Sequence, residues 1–185
     1  MNTIFNALES ENIKLRALEP KDIDIIYNWE NDPEIWEISE TIAPFSKALL
    51  QQYLENIHLD IYQTRQLRLM IDRKSDKDAE KSIGTVDLFD FDPFHNRIGL
   101  GVLIKDEENR KQGYAKESLQ LIIEYIFTKL MIHQIFCNIP ADNQPSINLF
   151  QKFGFEITGE KKEWIKTPSG WKNEYLLQLI NPHGH

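Results

Sequence analysis

Residues 98–130 read IGLGVLIKDEENRKQGYAKESLQLIIEYIFTKL, and three consecutive elements are visible in them. Glycines alternate with apolar residues over positions 98–104, which predicts a strand. Further along, apolar residues recur at helical spacing from Leu119 to Leu130, which predicts a long helix. A strand that leads through a polar loop into a helix is typical of an α/β protein.

The loop between this strand and this helix, residues 110–115, has the chemistry of a phosphate-binding site. Backbone amides point outward at the start of a helix, where the helix dipole adds partial positive charge. Gly113 allows a ligand to approach the backbone closely, and Arg110 and Lys111 add whole positive charges. The alternative is an ordinary loop glycine beside a solvated basic surface. The chain has neither the G-x-x-x-x-G-K-[ST] loop of nucleoside-triphosphate enzymes nor the G-x-G-x-x-G loop of dinucleotide enzymes.

The pattern of the whole chain predicts an α/β fold with a mixed sheet. Strands are predicted at residues 13–17, 67–71, 83–91, 98–104, 134–139, 155–166 and 171–180. Helices are predicted from residue 20, and over residues 46–61, 119–130 and 147–153. The resulting order, β-α-α-β-β-β-α-β-α-β-β, lacks the strict alternation of a doubly wound fold. We expect residues 1–185 to form a single domain whose core lies between about residues 13 and 180.

The composition excludes several classes of protein. Hydrophobic residues make up 41% and charged residues 27%, so disorder is excluded as the main state. A single cysteine, Cys137, excludes a disulfide scaffold and a thiolate zinc site, and the five histidines show no metal spacing, so we expect no metal. A net charge of −8 argues against a nucleic-acid partner. Because no apolar run nears about 18 residues and no charged-then-apolar pattern is visible at the start of the sequence, we expect no membrane span, no signal peptide and a cytoplasmic location.

Two motifs are similar to those of the GNAT superfamily, the acyl-CoA-dependent N-acyltransferases. The loop Arg110-x-x-Gly113-x-Ala115 matches the superfamily pattern [QR]-x-x-G-x-[GA]. Residues 142–155, which read DNQPSINLFQKFGF, resemble its N-x-x-S-x-x-L-[YF]-x-K-x-G-F element. The resemblance runs from about residue 13 to residue 180. It is closest to the spermidine and diamine N-acetyltransferases, and the ribosomal-protein N-terminal acetyltransferases are nearly as similar.

The resemblance implies a fold and an activity. The fold is a mixed, mostly antiparallel sheet of seven strands flanked by about four helices. The implied enzyme is an N-acetyltransferase that uses acetyl-CoA as cosubstrate, and a primary amine of a small, polyamine-like or diamine-like molecule attacks the thioester directly in a ternary complex. Two alternatives stay open, namely a protein or peptide N-terminal acetyltransferase and a non-catalytic acyl-CoA-binding module. The sequence also leaves open whether the chain forms a homo-oligomer.

The coenzyme site that the resemblance implies lies along the strand and loop quoted above. In the family, pantetheine pairs with the backbone of this strand, and a backbone amide near Leu103 stabilises the oxyanion. Gly99 and Gly101 suit such a close approach, although either could be a packing glycine. Asn143 could contact the coenzyme, cap a helix, or do both. The implied coenzyme contacts are Val102, Leu103, Ile104, Arg110, Lys111, Gln112, Gly113, Tyr114, Ala115, Asn138, Asn143, Ser146 and Phe150.

Phe150 is the main departure from the family pattern. Many relatives carry a tyrosine at this position, and its hydroxyl protonates the departing coenzyme thiolate. Phenylalanine has no proton to give. A free thiol has a pKa of about 8.5, so its thiolate is a tolerable leaving group near neutral pH. We therefore expect catalysis to proceed without this acid.

The segment that the resemblance places at the acceptor is residues 29–40, WENDPEIWEISE. Tryptophan faces and carboxylates together suit a cationic amine. The alternative is a helix end with solvated acids and two packed tryptophans. The polycation contacts of the spermidine enzymes fall here on Thr41, Ile42 and Gly99, so they are not carried over. The candidate acceptor contacts are Trp29, Glu30, Glu34, Trp36, Glu37, Glu40 and, on a predicted strand, Asp87.

The acceptor amine must lose a proton before it attacks. An alkylamine with a pKa of about 10.4 is neutral in only about one molecule in two thousand at pH 7, so it needs a carboxylate, a water chain or desolvation. A peptide N-terminus, with a pKa of about 7.7 to 8, needs far less help. Asp87, Asp90 and Asp92 could supply a base, and for the last two a solvated strand end is the alternative.

Overall fold

The computed structural model describes residues 8–39, 41–55, 59–74 and 81–182, with backbone only for residues 37–39, and these form one sheet and six α-helices. The strands are β1 (Ile13–Ala17), β2 (Leu67–Arg73), β3 (Lys81–Asp92), β4 (Arg97–Ile104), β5 (Gln134–Pro140), β6 (Glu156–Thr167) and β7 (Gly170–Ile180). The helices are α1 (Ile23–Glu30), α2 (Pro33–Ser39), α3 (Lys47–Glu55), α4 (Ile61–Thr64), α5 (Tyr114–Thr128) and α6 (Gln144–Gln151). None of these helices is long and apolar enough to cross a membrane.

The seven strands form a sheet in the order β1-β2-β3-β4-β5-β7-β6. Every neighbouring pair is antiparallel except β4 and β5, which run parallel. These two strands pair only from Arg97–Gln134 to Gly99–Phe136. β4 then continues to Ile104 and β5 to Pro140 with no further pairs between them in the described chain. The expected mixed, mostly antiparallel sheet of seven strands is confirmed, and four helices have eight residues or more.

Each face of the sheet carries its own core. On one face, the apolar stripe of α5 packs on buried strand residues such as Val86, Leu100 and Ile135, and α6 extends this core. On the other face, α1 and α3 cover Met70 of β2. Burial on both faces explains why β4 is apolar along most of its length, since successive residues of a strand face opposite sides of the sheet.

One helical prediction was wrong in extent, and one helix was not predicted. Residues 46–61 do not form one helix, because residues 59 and 60 are not helical and α4 begins at Ile61, while residues 56–58 lie outside the described chain. Asp60 starts the new helix, since its carboxylate accepts the amides of Tyr62 and Gln63. Helix α2 was not predicted. It begins at Pro33, a residue type suited to the first helical position because that position needs no amide donor.

Candidate active site

The divergence of β4 from β5 opens a cleft of about 1020 Å³. Residues directly opposite each other on paired strands share a face, so Arg68, Asp87 and Gly101 lie on the face covered by α1 and α3. Cys137 and Phe150 belong to the core under α5 and α6, on the opposite face, and they line the same cleft. The cleft therefore runs through the sheet and connects its two faces.

The backbone of β4 offers one free edge to this cleft. Val102 and Leu103 line it, and on their other side they pair with Val86 and Thr85 of β3. Ile104 ends the strand with a buried side chain, and its carbonyl lies beside the following loop. A strand edge without a partner can pair with an extended ligand as it would with another strand. This geometry fits the pantetheine arm of a coenzyme A.

Gly99 is a packing residue. A Cβ on Gly99 would lie 2.3 Å from the ring of Phe89, which packs edge-on against Phe136. A Cβ on Gly101 would meet only ordinary contacts, at 3.9 Å from Phe89 and 4.0 Å from Asp87. Of the two interpretations left open for these glycines, packing therefore holds for Gly99, while Gly101 lines the cleft.

The loop at residues 110–115 leads into the first turn of α5, and the space beside its glycine is open. Gly113 has a φ of 92°, and a Cβ built on it would have no atom of the described chain within 4 Å. The Arg110 guanidinium donates to the carbonyls of Ile104, at 3.2 Å, and Lys105, at 3.0 Å, and so ties the loop to the end of β4. The space beside Gly113, at the start of α5 and near the end of β4, is therefore open, a geometry that fits a pyrophosphate.

The remaining loop residues divide into two groups. Lys111 and Gln112 are exposed, and Lys111 has a positive φ of 61°. Tyr114 and Ala115 are half-buried and pack against the core under α5. None of the six loop residues lines the cleft, so a coenzyme that contacted both the cleft and the loop would extend beyond the cleft.

Helix α6 contributes three predicted residues to the cleft: Asn143, Ser146 and Phe150. Asn143 caps the helix, because its side-chain oxygen accepts the Ser146 amide at 3.2 Å. Phe150 is buried, with its ring edge-on to Phe155 at a centroid distance of 5.0 Å. Asn138, on β5, also lines the cleft.

Three charged residues form one wall of the cleft, which we call the arginine wall: Glu30, Arg68 and Asp87. Arg68 donates from Nη1 to Glu30 and from Nε to Asp87 at 2.5 Å. The other oxygen of Asp87 accepts the Thr85 hydroxyl at 3.0 Å. Burial lowers the pKa of the Arg68 guanidinium, but the charges and hydrogen bonds of Asp87 and Glu30 raise it by more. Arg68 therefore stays charged and fixes both carboxylates.

The opposite wall carries a lysine that the sequence analysis did not single out. Lys161, on β6, donates to Glu174 at 2.7 Å and to Asn138 at 2.9 Å. Its ammonium also lies 5.1 Å from the centroid of the Trp164 ring. The sequence does not indicate that Lys161 lies in a cleft, because residues 160–164 read EKKEW, a run typical of a solvated edge strand.

The other predicted acceptor residues are placed as follows. Trp29 lines the cleft together with Glu30. Glu34 lies instead in a separate shallow depression beside Lys105. Trp36 does not line the cleft, and its indole donates to the Glu30 carbonyl at 2.7 Å. Glu40 and the side chain of Glu37 lie outside the described residues.

The two strand-end carboxylates suggested as bases have different surroundings. Asp90 is exposed and lines the cleft. Asp92 lies outside it, pairs with Arg97 at 3.1 Å and accepts the amides of Phe94 and His95. Asp92 therefore stabilises the turn between β3 and β4, as a strand-end residue would.

Cys137 lines the cleft but is poorly suited to carry an acyl group. Its side chain is buried, and burial raises the pKa of its thiol to about 12. The thiolate is the nucleophilic form, so a thiol with this pKa is unreactive near neutral pH. Among the described residues, no group of three or more histidine, cysteine, aspartate or glutamate side chains could hold a metal ion.

Comparison with known proteins agrees with this geometry. The model of the acetyltransferase (GNAT) domain matches residues 12–156. The spermidine N(1)-acetyltransferase of Vibrio cholerae is 27% identical over 172 residues, which cover 90% of this chain and 93% of that protein. The uncharacterized N-acetyltransferase p20 of Bacillus licheniformis is 24% identical over 177 residues, covering 94% of this chain and 95% of that one.

Solved structures give the same fold. The crystal structure of the Vibrio cholerae spermidine N-acetyltransferase in complex with CoA and spermine aligns with a TM-score of 0.82 at 21% identity. That alignment covers 93% of this chain and 97% of the other. Because the family match spans more than half of the chain, the protein belongs to the GNAT family of acetyltransferases, enzymes that take the acetyl group from acetyl-CoA.

Proposed function

We propose that this enzyme acetylates a primary amine of a small cationic molecule of the diamine or polyamine class. The observation that carries the proposal is the charge of the cleft that runs through the sheet. Its lining has four carboxylates and two cations. The carboxylates are Glu30, Asp87, Asp90 and Glu174, and the cations are Arg68 and Lys161. The rings of Trp29 and Trp164 add faces that attract ammonium groups.

The residues of the coenzyme half have separate roles in this proposal. The loop at residues 110–115 and the start of α5 bind the pyrophosphate. Val102, Leu103 and Ile104 hold the pantetheine arm by their backbone, and an amide at Leu103 stabilises the oxyanion. Asn138, Asn143, Ser146 and Phe150 border the acetyl end. When bound, acetyl-CoA supplies a thioester carbonyl that the amine attacks.

The surroundings of Cys137 support direct attack of the amine on the thioester. No other cysteine exists in the chain, and this one has a strongly raised pKa, so an acyl-cysteine intermediate is not supported. The amine and the thioester must then meet in one ternary complex. Their meeting point is where the cleft crosses the sheet, between Gly101 of β4 and Asn138 of β5.

The amine needs a group that removes its proton. Asp87 has both oxygens engaged, by Arg68 and by Thr85. Asp90 is exposed in the cleft, and no arginine or lysine of the described chain forms an ion pair with it. We assign Asp90 as the base, acting directly or through water, because a carboxylate that is not held by a cation is the better proton acceptor.

Relatives support the class of acceptor. The Vibrio cholerae enzyme is a spermidine N-acetyltransferase, and one of its structures is a complex with CoA and spermine. Since Thr41, Ile42 and Gly99 replace the polycation contacts of that group, the present cleft must recognise its amine by other residues. The arginine wall and the group around Lys161 are those residues in this proposal.

We also propose that the enzyme is a cytoplasmic homo-oligomer without a nucleic-acid partner. A dodecameric structure is known for the Vibrio cholerae relative. The net charge of −8 disfavours association with phosphate backbones. Light scattering after gel filtration tests the oligomer, and a mass equal to one chain would contradict it.

The test of function is the release of free thiol from acetyl-CoA in the presence of an amine panel. The panel contains spermidine, spermine, diamines of several lengths, matched monoamines and peptides with free N-termini. We expect the diamines and polyamines to be the best substrates. Release with peptides alone would instead indicate an N-terminal acetyltransferase. Binding of acetyl-CoA without release by any amine would indicate an acyl-CoA-binding module.

The assignment of Asp90 has a matched control in Asp92. Asp90→Asn should lower kcat by about 10²- to 10⁴-fold, the usual contribution of a general base, with little change in coenzyme affinity. Asp92→Asn removes a carboxylate two residues away that lies outside the cleft, and the amide can still accept from the turn. Its kcat should stay near that of the wild type. Equal effects of the two changes would contradict the role of Asp90.

A further inference from the structure

The ammonium of Lys161 lies in a site made of the groups that recognise any ammonium ion. Glu174 accepts from it at 2.7 Å and Asn138 at 2.9 Å, while the Trp164 ring lies 5.1 Å away. A carboxylate, an amide oxygen and an indole face together provide charge, hydrogen bonding and cation–π attraction. All four residues line the cleft. We call Glu174, Asn138 and Trp164 the ammonium site.

The carboxylate of the ammonium site is buried within the cleft, whereas the lysine that now occupies the site extends from an edge strand. The side chain of Glu174 is only 6% exposed, and that of Lys161 is 31% exposed. Lys161 extends from β6, the last strand of the sheet, on a flexible four-carbon stem. Its ammonium can therefore move into water without disturbing the carboxylate or the amide that hold it.

Strand register places this site where an acceptor would lie. Asn138 is two residues beyond Phe136, the last residue of β5 that pairs with β4. Side chains alternate along a strand, so Asn138 shares the face of Phe136 and, through the pairing with Gly99, the face of Gly101 and Asp87. The ammonium site and the arginine wall thus border the same half of the cleft from opposite sides.

We propose that the ammonium site binds a second, non-reacting ammonium group of the acceptor, and that Lys161 occupies it when no acceptor is bound. This inference rests on the proposed function, because it specifies how the acceptor of that reaction is recognised. Exchange of one ammonium for another leaves the charge of the site unchanged. Lys161 therefore competes with the second ammonium group of the acceptor. This competition determines how strongly the cleft prefers a diamine over a monoamine.

The competition can be removed with Lys161→Met, which keeps the length of the stem but not its charge. The measured quantity is the ratio of kcat/KM for a diamine to kcat/KM for the monoamine of equal chain length. A charge-assisted hydrogen bond that becomes available to the diamine should raise this ratio about tenfold. Lys161→Arg retains a competing cation and should leave the ratio near the wild-type value. Lys162→Met, at the exposed neighbouring position outside the cleft, should also leave it unchanged.

A binding measurement distinguishes failure of this inference from failure of the proposed function. Lys161→Met leaves the Glu174 carboxylate without its ammonium partner, so the variant should melt at a lower temperature than the wild type. Millimolar diamine should restore much of that loss. The double variant Lys161→Met, Glu174→Gln should gain much less from the same diamine. This result is expected whether or not any amine is acetylated.

Two outcomes would overturn the inference. One is an unchanged diamine-to-monoamine ratio in Lys161→Met, and the other is equal thermal stabilisation of the single and double variants by diamine. If Lys161→Met does not fold, Trp164→Leu supplies the test, because this side chain is 57% exposed and its loss leaves the ion pair in place. The diamine-to-monoamine ratio should then fall severalfold, and an unchanged ratio would count against the site.

Discussion

Phe150 is an aromatic residue at a position where a hydroxyl would be useful. It is buried, it lines the cleft beside Asn143 and Ser146, and its ring packs against Phe155. An aromatic ring suits this position, because it packs against Phe155 between α6 and the start of β6. A tyrosine would add one oxygen at the edge of the ring that faces the cleft or the core.

We predict that Phe150→Tyr raises kcat by less than about tenfold. General acid catalysis contributes about 10²- to 10⁴-fold, but only where the proton transfer limits the rate. Coenzyme A leaves as a thiolate with a pKa of about 8.5, whereas deprotonation of an alkylamine at neutral pH is far less favourable. The measurement is steady-state thiol release with the best amine. A gain of a hundredfold or more would show that protonation of the thiolate limits the natural enzyme.

A substitution at Gly113 tests whether the loop at residues 110–115 binds the coenzyme phosphates. We predict that Gly113→Val abolishes acetyl-CoA binding while the protein stays folded, because the side chain would occupy the open space beside the first amides of α5. A β-branched residue at a φ of 92° also costs about 1 to 2 kcal/mol of stability. Calorimetric titration measures the affinity.

The matched control for Gly113→Val is Gly170→Val. Gly170 also has a positive φ, of 133°, and a Cβ there would have no described atom within 4 Å, but this glycine is the first residue of β7, far along the chain from the loop at residues 110–115. Both variants carry backbone strain, and only Gly113→Val should lose the coenzyme. Retained affinity in Gly113→Val would mean that the loop is not the phosphate site.

At the scale of elements, periodicity was enough to predict every strand and the long helix α5. Elements such as α5 and β5 bury a regular face, so their repeat of apolar residues follows the geometry directly. Helix α2 and the break before α4 depend instead on single local hydrogen bonds. Asp32 accepts the Glu34 amide at 2.9 Å, and Asp60 caps α4. Such bonds leave no repeat in the sequence.

In the candidate site, too, one group of residues could be predicted from the sequence and another could not. The candidate coenzyme residues follow one another along the chain, so two sequence motifs are enough to predict the loop and α6 as their location. The acceptor residues come together only through strand register. Arg68 meets Asp87 across β2 and β3, and Lys161 meets Glu174 across β6 and β7. No spacing in the sequence connects these partners, and their charges alone resemble a solvated surface.

Two glycines of β4 differ in their surroundings: Gly99 packs against Phe89, whereas Gly101 lines the cleft. We predict that Gly99→Ala lowers the free energy of unfolding by about 1 to 3 kcal/mol, because its Cβ would overlap the Phe89 ring. Gly101→Ala is the control, since its Cβ would meet only ordinary contacts, and its stability should stay within about 1 kcal/mol of the wild type. Urea unfolding measures both. Equal stabilities would show that Phe89 moves aside without cost.

At the scale of the whole molecule, the sheet consists of two parts with a narrow junction. Strands β1–β4 form one part and β5–β7 the other, and they are joined by the three residue pairs between β4 and β5. Helices α5 and α6 cover the junction on one face. A coenzyme between the diverging strands would contact both parts, so its binding energy should stabilise the entire fold and not the loop alone.

We therefore predict that acetyl-CoA raises the melting temperature of the whole protein in a single transition. A ligand at 100 times its dissociation constant adds about 2.7 kcal/mol to the free energy of unfolding. For a chain of 185 residues this corresponds to an increase of about 5 to 10 °C. Calorimetry measures the shift, and Gly113→Val serves as the variant that should show none. Two results would contradict a coenzyme held between the two parts of the sheet. One is an unchanged melting temperature of the wild type with acetyl-CoA, and the other is a hydrogen-exchange measurement in which acetyl-CoA protects only residues 110–115.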